Sequence, residues 1–390
     1  MREQYSKTSL RDCRHFKSAL RLCLCLVFTS FSPFATAGAE LSAGVWWVYQ
    51  YTEVSDFKGP TSPFDADLDN QTGGNFADPA FILYANDDDS HGPWHFSGEM
   101  RLGTGSFTQT ANNNSGDSLT MHKAWIARDL SEGGVLTVGK SQVPFGWKTE
   151  NFWPGDLLEG GYGDQMDVGV KWTQDVSALH YAVGYFHQDD WGEVSTDTVD
   201  DNGHWGASNT YRKIKTGVVN LDYDFSSRHT FGVSYQNGRL QDLAGTVASQ
   251  QRDVGTHNAV DLHYYFNYGN WLFKYRFIDA QRDYGGMDAL LASCAGSCPA
   301  NTKVETQRQA AHLGYRKDRW HFYLEGSTAT SDTDGNDAER VEAYAPGVSF
   351  QYGPGWLYLE YLWQNGDIDR YGDVYEANFR TVYASFDFYF

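Results

Sequence analysis

Apolar and polar residues alternate one by one along most of this chain. In "TVYASFDFYF" (381–390), Val382, Ala384, Phe386, Phe388 and Phe390 fall on every second position, with Thr381, Tyr383, Ser385, Asp387 and Tyr389 between them. A strand sends successive side chains to opposite faces, so this period predicts a strand with one apolar and one polar face. The period recurs at 45–52, 81–86, 94–103, 119–128, 135–143, 167–174, 179–188, 216–225, 230–237, 257–266, 271–278, 306–315, 320–328, 343–352 and 356–364. With the terminal segment these make about sixteen strands, and the fold class is all-β.

The connections alternate in length. Turn-forming residues crowd 86–93, 130–134, 175–178, 226–229, 267–270, 316–319 and 352–355. Longer loops fall near 53–75, 104–117, 144–166, 189–212, 238–255, 279–304, 329–340 and 365–375. A soluble sandwich or propeller also has many strands, but accounts for neither this alternation nor three phenylalanines on one face of the last strand. A transmembrane antiparallel β-barrel accounts for both, with short periplasmic turns and long extracellular loops. Closure removes free edges, so the last strand is expected to pair with the first. Trp94, Trp271, Trp320 and Trp363 suit aromatic girdles at the rims.

Composition agrees. Aromatics make up 16% of the chain and glycines number 40, yet the mean hydropathy is −0.54. Beyond the N-terminal region no run of apolar residues is long enough for a membrane helix. Arg2, Lys7, Arg11, Arg14, Lys17 and Arg21 precede the apolar stretch 22–34 and the small-residue site 35–37. Residues 1–37 therefore read as a secretory signal and 38–390 as the barrel. A short membrane anchor is the alternative, opposed by Pro33 and by the length.

The net charge is −20, and the leader carries more bases than acids, so the remainder is more acidic still. Such a chain disfavours nucleic acid. It also repels a bare anionic lipid surface unless divalent cations bridge it to lipopolysaccharide. Cys13, Cys23 and Cys25 lie in the leader, leaving Cys294 and Cys298 in "CAGSC". An exported pair so close in sequence suggests a local disulfide. A metal site is the rival reading, but two sulfurs without a nearby His are too few for a structural zinc. No cofactor motif or catalytic Ser/His pattern is marked. An outer-membrane lipase or protease would need one.

Parity assigns faces. His95, Ser97, Glu99 and Arg101 point inward opposite Trp94, Phe96, Met100 and Leu102; Lys274 and Arg276 oppose Trp271, Phe273, Tyr275 and Phe277. Asp167, Lys171, His257, Asp261, His263, Arg308, His312, His321, Tyr323, Glu325 and Glu360 also fall inward. Lys140 shares its face with Leu136 and Val138, so its direction is ambiguous. A charge on the lipid face costs roughly 2–4 kcal/mol at the midplane. The interior is then either wet or tightly paired. One reading is a rigid acid–base network. The other is an anion track along Arg101, Lys140, Lys171, Lys274, Arg276 and Arg308.

"GKSQVPFG" (139–146), with "AWIARDLSEGGVLTVGK" (124–140) before it, resembles the phosphate-selective porin O/P group and related sixteen-stranded porins. The resemblance implies a third outer loop, 144–166, folded into the lumen as a constriction. It makes Lys148, Glu150, Asp156, Glu159 and Asp164 constriction candidates facing Arg101 and Lys140; an outward loop with solvated charges is the alternative. Trp147, Phe152, Trp153 and Tyr162 then either line a sugar path or pack the loop. The resemblance further implies passive diffusion of small hydrophilic solutes, a homotrimer, and recognition of Phe386, Phe388 and Phe390 by the barrel-insertion machinery of a bacterial outer membrane. Selectivity for phosphate, other anions or sugars is a narrower alternative, and a closed structural barrel is another. The strong acidity departs from a phosphate-selective pattern.

Overall fold

The computed structural model describes residues 40–56, 58, 73–106, 118–191, 211–242, 253–286 and 298–390. The expected leader at 1–37 and Cys294 lie outside these residues. Sixteen strands occur among those described. They are β1 Glu40–Ser55, β2 Gly73–His91, β3 Trp94–Leu102, β4 Leu119–Asp129, β5 Gly134–Gln142, β6 Met166–Val176, β7 Leu179–Gln188 and β8 Tyr211–Ser226. The second half comprises β9 His229–Asp242, β10 Asp253–Tyr268, β11 Trp271–Asp283, β12 Lys303–Lys317, β13 Trp320–Ser331, β14 Val341–Gln351, β15 Trp356–Ile368 and β16 Val374–Tyr389.

Each strand pairs antiparallel with its sequence neighbours, and β1 pairs with β16, closing one barrel. Closure satisfies the backbone of both terminal strands. The Phe390 amide donates to the Ala43 carbonyl (2.8 Å), and the Ala43 amide donates back (2.9 Å). Trp47 and Phe386 meet across this seam at 4.9 Å between ring centroids. Phe388 and Phe390 stay exposed on the outer face.

The outer surface is an apolar belt. Trp47, Tyr49 and Tyr51 on β1 are exposed while Trp46, Val48 and Thr52 between them are buried. The same alternation puts Leu357, Leu359 and Tyr361 outside and Glu360 and Leu362 inside on β15. A hydrocarbon environment takes the outer set, and the paired backbone leaves no polar group unsatisfied there. Trp94, Trp271 and Trp320 begin strands at the tight-turn end and are exposed. Trp363 is half-buried and stacks with Tyr344.

Two expectations are corrected. The segment 86–93 is largely strand, because β2 continues to His91 and only Gly92 and Pro93 turn. Gly92 takes φ +67, which a glycine adopts without penalty and which lets two residues reverse the chain. The eighth long loop shrinks to 369–373, since pairing of β15 with β16 extends to Ile368↔Val374. Several other strands also outrun the alternating segments, notably β1, β8 and β16. The extensions carry buried apolar residues without a regular period of two, Tyr211 and Ile214 on β8 and Val374, Ala377 and Phe379 on β16, so alternation alone does not reveal them.

Candidate functional site

The connection between β5 and β6, residues 143–165, passes over the inner wall and is held by two apolar footholds. Val143, Phe145 and Tyr162 pack against Phe186, Val218, Ala259, Ile278 and Ala280. Trp153, Leu157 and Leu158 pack against Val48, Ile82, Ala343, Leu362 and Tyr383. These inward apolar positions lie where the loop lands, and a separate buried cluster of Tyr211, Leu240, Tyr284, Val304 and Tyr371 forms without the loop.

Between the footholds, wall charges complement the loop backbone. Arg276 of β11 donates from Nη1 to the carbonyls of Trp147 (3.1 Å) and Tyr162 (3.0 Å) and to Glu159 Oε2 (2.6 Å). Its Nη2 reaches the Phe145 carbonyl at 3.2 Å, and Nε reaches Asp261 Oδ2 at 2.6 Å. Asp261 is shared with His263, whose other nitrogen meets Asp222. Arg308 of β12 donates to the carbonyls of Glu159 (2.5 Å) and Gly372 (3.0 Å). Lys274 donates to the Lys148 carbonyl (3.0 Å) and to Glu150 Oε1 (2.6 Å).

Wall acids do the converse. Glu325 of β13 accepts from the amides of Glu150 (2.7 Å) and Asn151 (3.3 Å) and from the Asn151 side chain. Glu360 of β15 accepts from the amides of Phe152 (2.7 Å) and Trp153 (2.9 Å) and from the Tyr323 hydroxyl (2.5 Å). Charged partners strengthen such bonds, and in a buried setting each group left unpaired is costly. Gly146 lies close against this network. Its φ is +63, and a Cβ there would strike the Arg276 guanidinium and Asp261.

Electrostatics within the loop follow burial. Desolvation pushes the Glu159 carboxyl well above its ordinary range, with Asp156 and Glu325 adding to the effect and Arg276 opposing it. Burial also raises Asp156, against the Gly163 amide that donates to it at 2.9 Å. Burial pushes Glu150 upward too, but Lys274, His312 and Arg316 outweigh it and hold the carboxyl below its usual range.

The residues expected along an open track therefore separate. Arg276, Arg308 and Lys274 of the wall are buried beneath the loop, and Asp156 and Glu159 of the loop are buried as well. The three bases bond to the loop. Lys140 is fully buried and ion-paired with Asp190 at 3.5 Å. Lys148 and Asp164 form a solvated pair on the loop at 2.9 Å. Glu99 and Arg101 pair at 2.7 Å, with Arg101 also lying 5.0 Å over the Trp46 ring. Lys171 is half-buried and donates to the Gln142 carbonyl at 2.8 Å. Glu150 is half-buried between Lys274 and Arg316. Trp147, Trp153 and Tyr162 are buried packing residues, whereas Phe152 keeps part of its surface.

Sequence reasoning placed Glu325 and Glu360 inward without assigning them to the loop, and it omitted Lys123. Lys123 pairs with Glu99 across β3 and β4, so it shares the inner face, with a register shift beside it. That shift breaks the parity by which a linear reading would find it. Cys298 is in a disulfide; its expected partner, Cys294, is outside the described residues. Among the described residues no group of His, Cys, Asp and Glu is arranged to hold a metal.

No family model and no curated protein matches this chain. Solved structures do. The outer-membrane protein OmpT of Vibrio cholerae superposes with a TM-score of 0.53 at 12% identity, over 90% of this chain and 97% of that one. An anion-selective porin from Comamonas acidovorans gives 0.54 at 10% identity, over 90% and 99%. The outer-membrane channel DcaP of Acinetobacter baumannii gives 0.52 at 15% identity, over 91% and 99%. At these identities the likeness is one of fold: this chain has the closed sixteen-stranded barrel of Gram-negative outer-membrane proteins.

Proposed function

We propose that this protein is an outer-membrane porin. It provides a water-filled passage for small hydrophilic solutes beside the loop 143–165. The observation that carries the reading is the loop itself, bonded through Glu325, Glu360, Arg276 and Arg308 to the inner wall. A barrel serving only as a lipid-embedded support has no need of a loop held across its interior. The loop narrows the passage while leaving Glu99, Arg101, Lys123, Lys148, Asp164 and Lys171 to set the local field. Charges facing one another across a narrow opening orient polar solutes.

A phosphate-selective channel is the narrower reading, supported by the "GKSQVPFG" resemblance. It is weakened by the engagement of three wall bases in loop binding. The reading includes a homotrimer, contact with lipopolysaccharide through divalent cations, and recognition of the terminal phenylalanines by insertion machinery. Single-channel recording in a planar bilayer under a KCl gradient tests it. Stepwise conductance supports the porin, and the sign of the reversal potential gives the preferred ion. A folded barrel that conducts nothing overturns it in favour of a closed structural barrel.

A further inference from the structure

The inner face near the β1–β16 seam carries a further group of rings, one of them from the loop. Trp356 and Tyr358 of β15, Tyr389 of β16, Tyr84 of β2 and Phe152 of the loop are all half-buried. None belongs to the outer belt, and Tyr84 and Phe152 lie at the edge of the buried cluster around Trp46. Trp356 meets Tyr389 at 5.9 Å between centroids, and Tyr389 meets Tyr84 at 6.0 Å. Phe152 stacks on Tyr358 at 4.7 Å with an interplanar angle of 12°. The group therefore extends from the loop toward the tight-turn end, where β16 finishes. Glu99 lies directly across from Tyr84 in the β2–β3 register, and it is paired with Arg101.

We propose that this aromatic lane binds cyclic polyols, namely sugars, during passage. The inference rests on the channel reading above and names the solute class for it. A sugar ring has one face of C–H groups and an edge of hydroxyls. Aromatic faces take the first, as they take other apolar surface. Tyrosine hydroxyls and the Glu99–Arg101 pair provide donors and acceptors for the second. The local charge argues against an anion, which gains nothing from the rings and meets Glu99 and Asp387, the latter accepting from the Tyr389 hydroxyl at 3.4 Å; an organic cation that favours rings meets Arg101. The other loop aromatics, Trp147, Trp153 and Tyr162, do not carry this inference, because they are buried.

The test is block of single-channel KCl current by maltotriose, compared with a polyethylene glycol of equal hydrodynamic radius. The wild-type channel is expected to show concentration-dependent block by maltotriose but not by the glycol. In Tyr84→Leu and Tyr358→Leu, half-block should need about tenfold more sugar, the loss of roughly one ring contact. Unblocked KCl conductance and heat-modifiable migration of the folded barrel should persist. A conducting wild-type channel that treats the two solutes alike overturns the sugar inference and leaves the porin standing. Equal block in wild type and both variants also overturns it. A folded wild-type barrel without conductance overturns the porin reading itself, and the sugar inference with it.

Discussion

Arg276 and Glu159 meet at 2.6 Å inside the barrel although 117 residues separate them. One belongs to the wall and the other to the loop between β5 and β6. Both are buried, and the same guanidinium also takes Asp261 and three loop carbonyls. The contact joins the loop's path to one charged side chain.

Replacing that side chain should release the loop. Arg276→Met leaves Asp261 buried without its cation and strips hydrogen bonds from the loop carbonyls. Breaking a buried pair from one side costs about 3–5 kcal/mol. The sixteen-stranded ladder does not depend on Arg276, so the barrel should still fold. Single-channel conductance should rise and become noisier, and liposome swelling should admit larger solutes. Unchanged conductance and size cut-off in the folded variant would refute the role given to Arg276.

Two glycines separate backbone strain from crowding. Gly92 and Gly146 have nearly equal φ, +67 and +63. A Cβ on Gly92 meets nothing within 4 Å, whereas one on Gly146 strikes Arg276. Gly92→Ala should cost only the conformational penalty, about 1–2 kcal/mol. Gly146→Ala should add loop displacement, read as faster proteolysis near 143–165. Equal protease sensitivity in the two variants would contradict the fit described here.

Acid and alkali should act on different loops. Glu150 is held below the usual carboxylate range, so its stabilising pairs with Lys274 and Arg316 persist at neutral pH. They are lost as the pH falls through that depressed value. Asp369, in the short turn after β15, behaves oppositely. Burial and Asp373 raise it to about 7, while its carboxylate accepts from the Tyr371 (2.8 Å) and Asp373 (2.9 Å) amides. Stability contributed by its protonated form is lost as the pH rises through about 7. Protection factors in 369–373, with the base-catalysed intrinsic exchange divided out, should therefore fall as the pH rises from the ordinary value of 3.8 to about 7, and Asp369→Asn should flatten the profile. A wild-type profile flat across that window would contradict the assignment.

Glu99 and Arg101 are half-buried and paired on the inner wall. Arg101→Ala leaves Glu99 unbalanced and should shift the reversal potential toward cation preference. Glu99→Ala should shift it the other way. Shifts of the same sign, or none, would remove this pair from the conducting path.

Much of the barrel was legible in the residues alone. Period-two alternation located all sixteen strands and identified Phe388, Trp94 and Phe96 as outward and Glu360 and Arg276 as inward. It did so because a strand has only two faces, and lipid tolerates only one kind of side chain. The path of the loop was not legible. Parity says that Arg276, Arg308, Glu325 and Glu360 point inward, but not what they meet there. Their partners lie 117 to 208 residues away in several of these contacts. Closure of the wall brings them together, and the three-dimensional path of the loop pairs wall bases with loop carbonyls and wall acids with loop amides. Expected pore-lining charges such as Arg276 and Arg308 became anchors for this reason. A linear pattern records which way a side chain faces; which opposing groups lie within hydrogen-bond reach depends on how the chain closes in space.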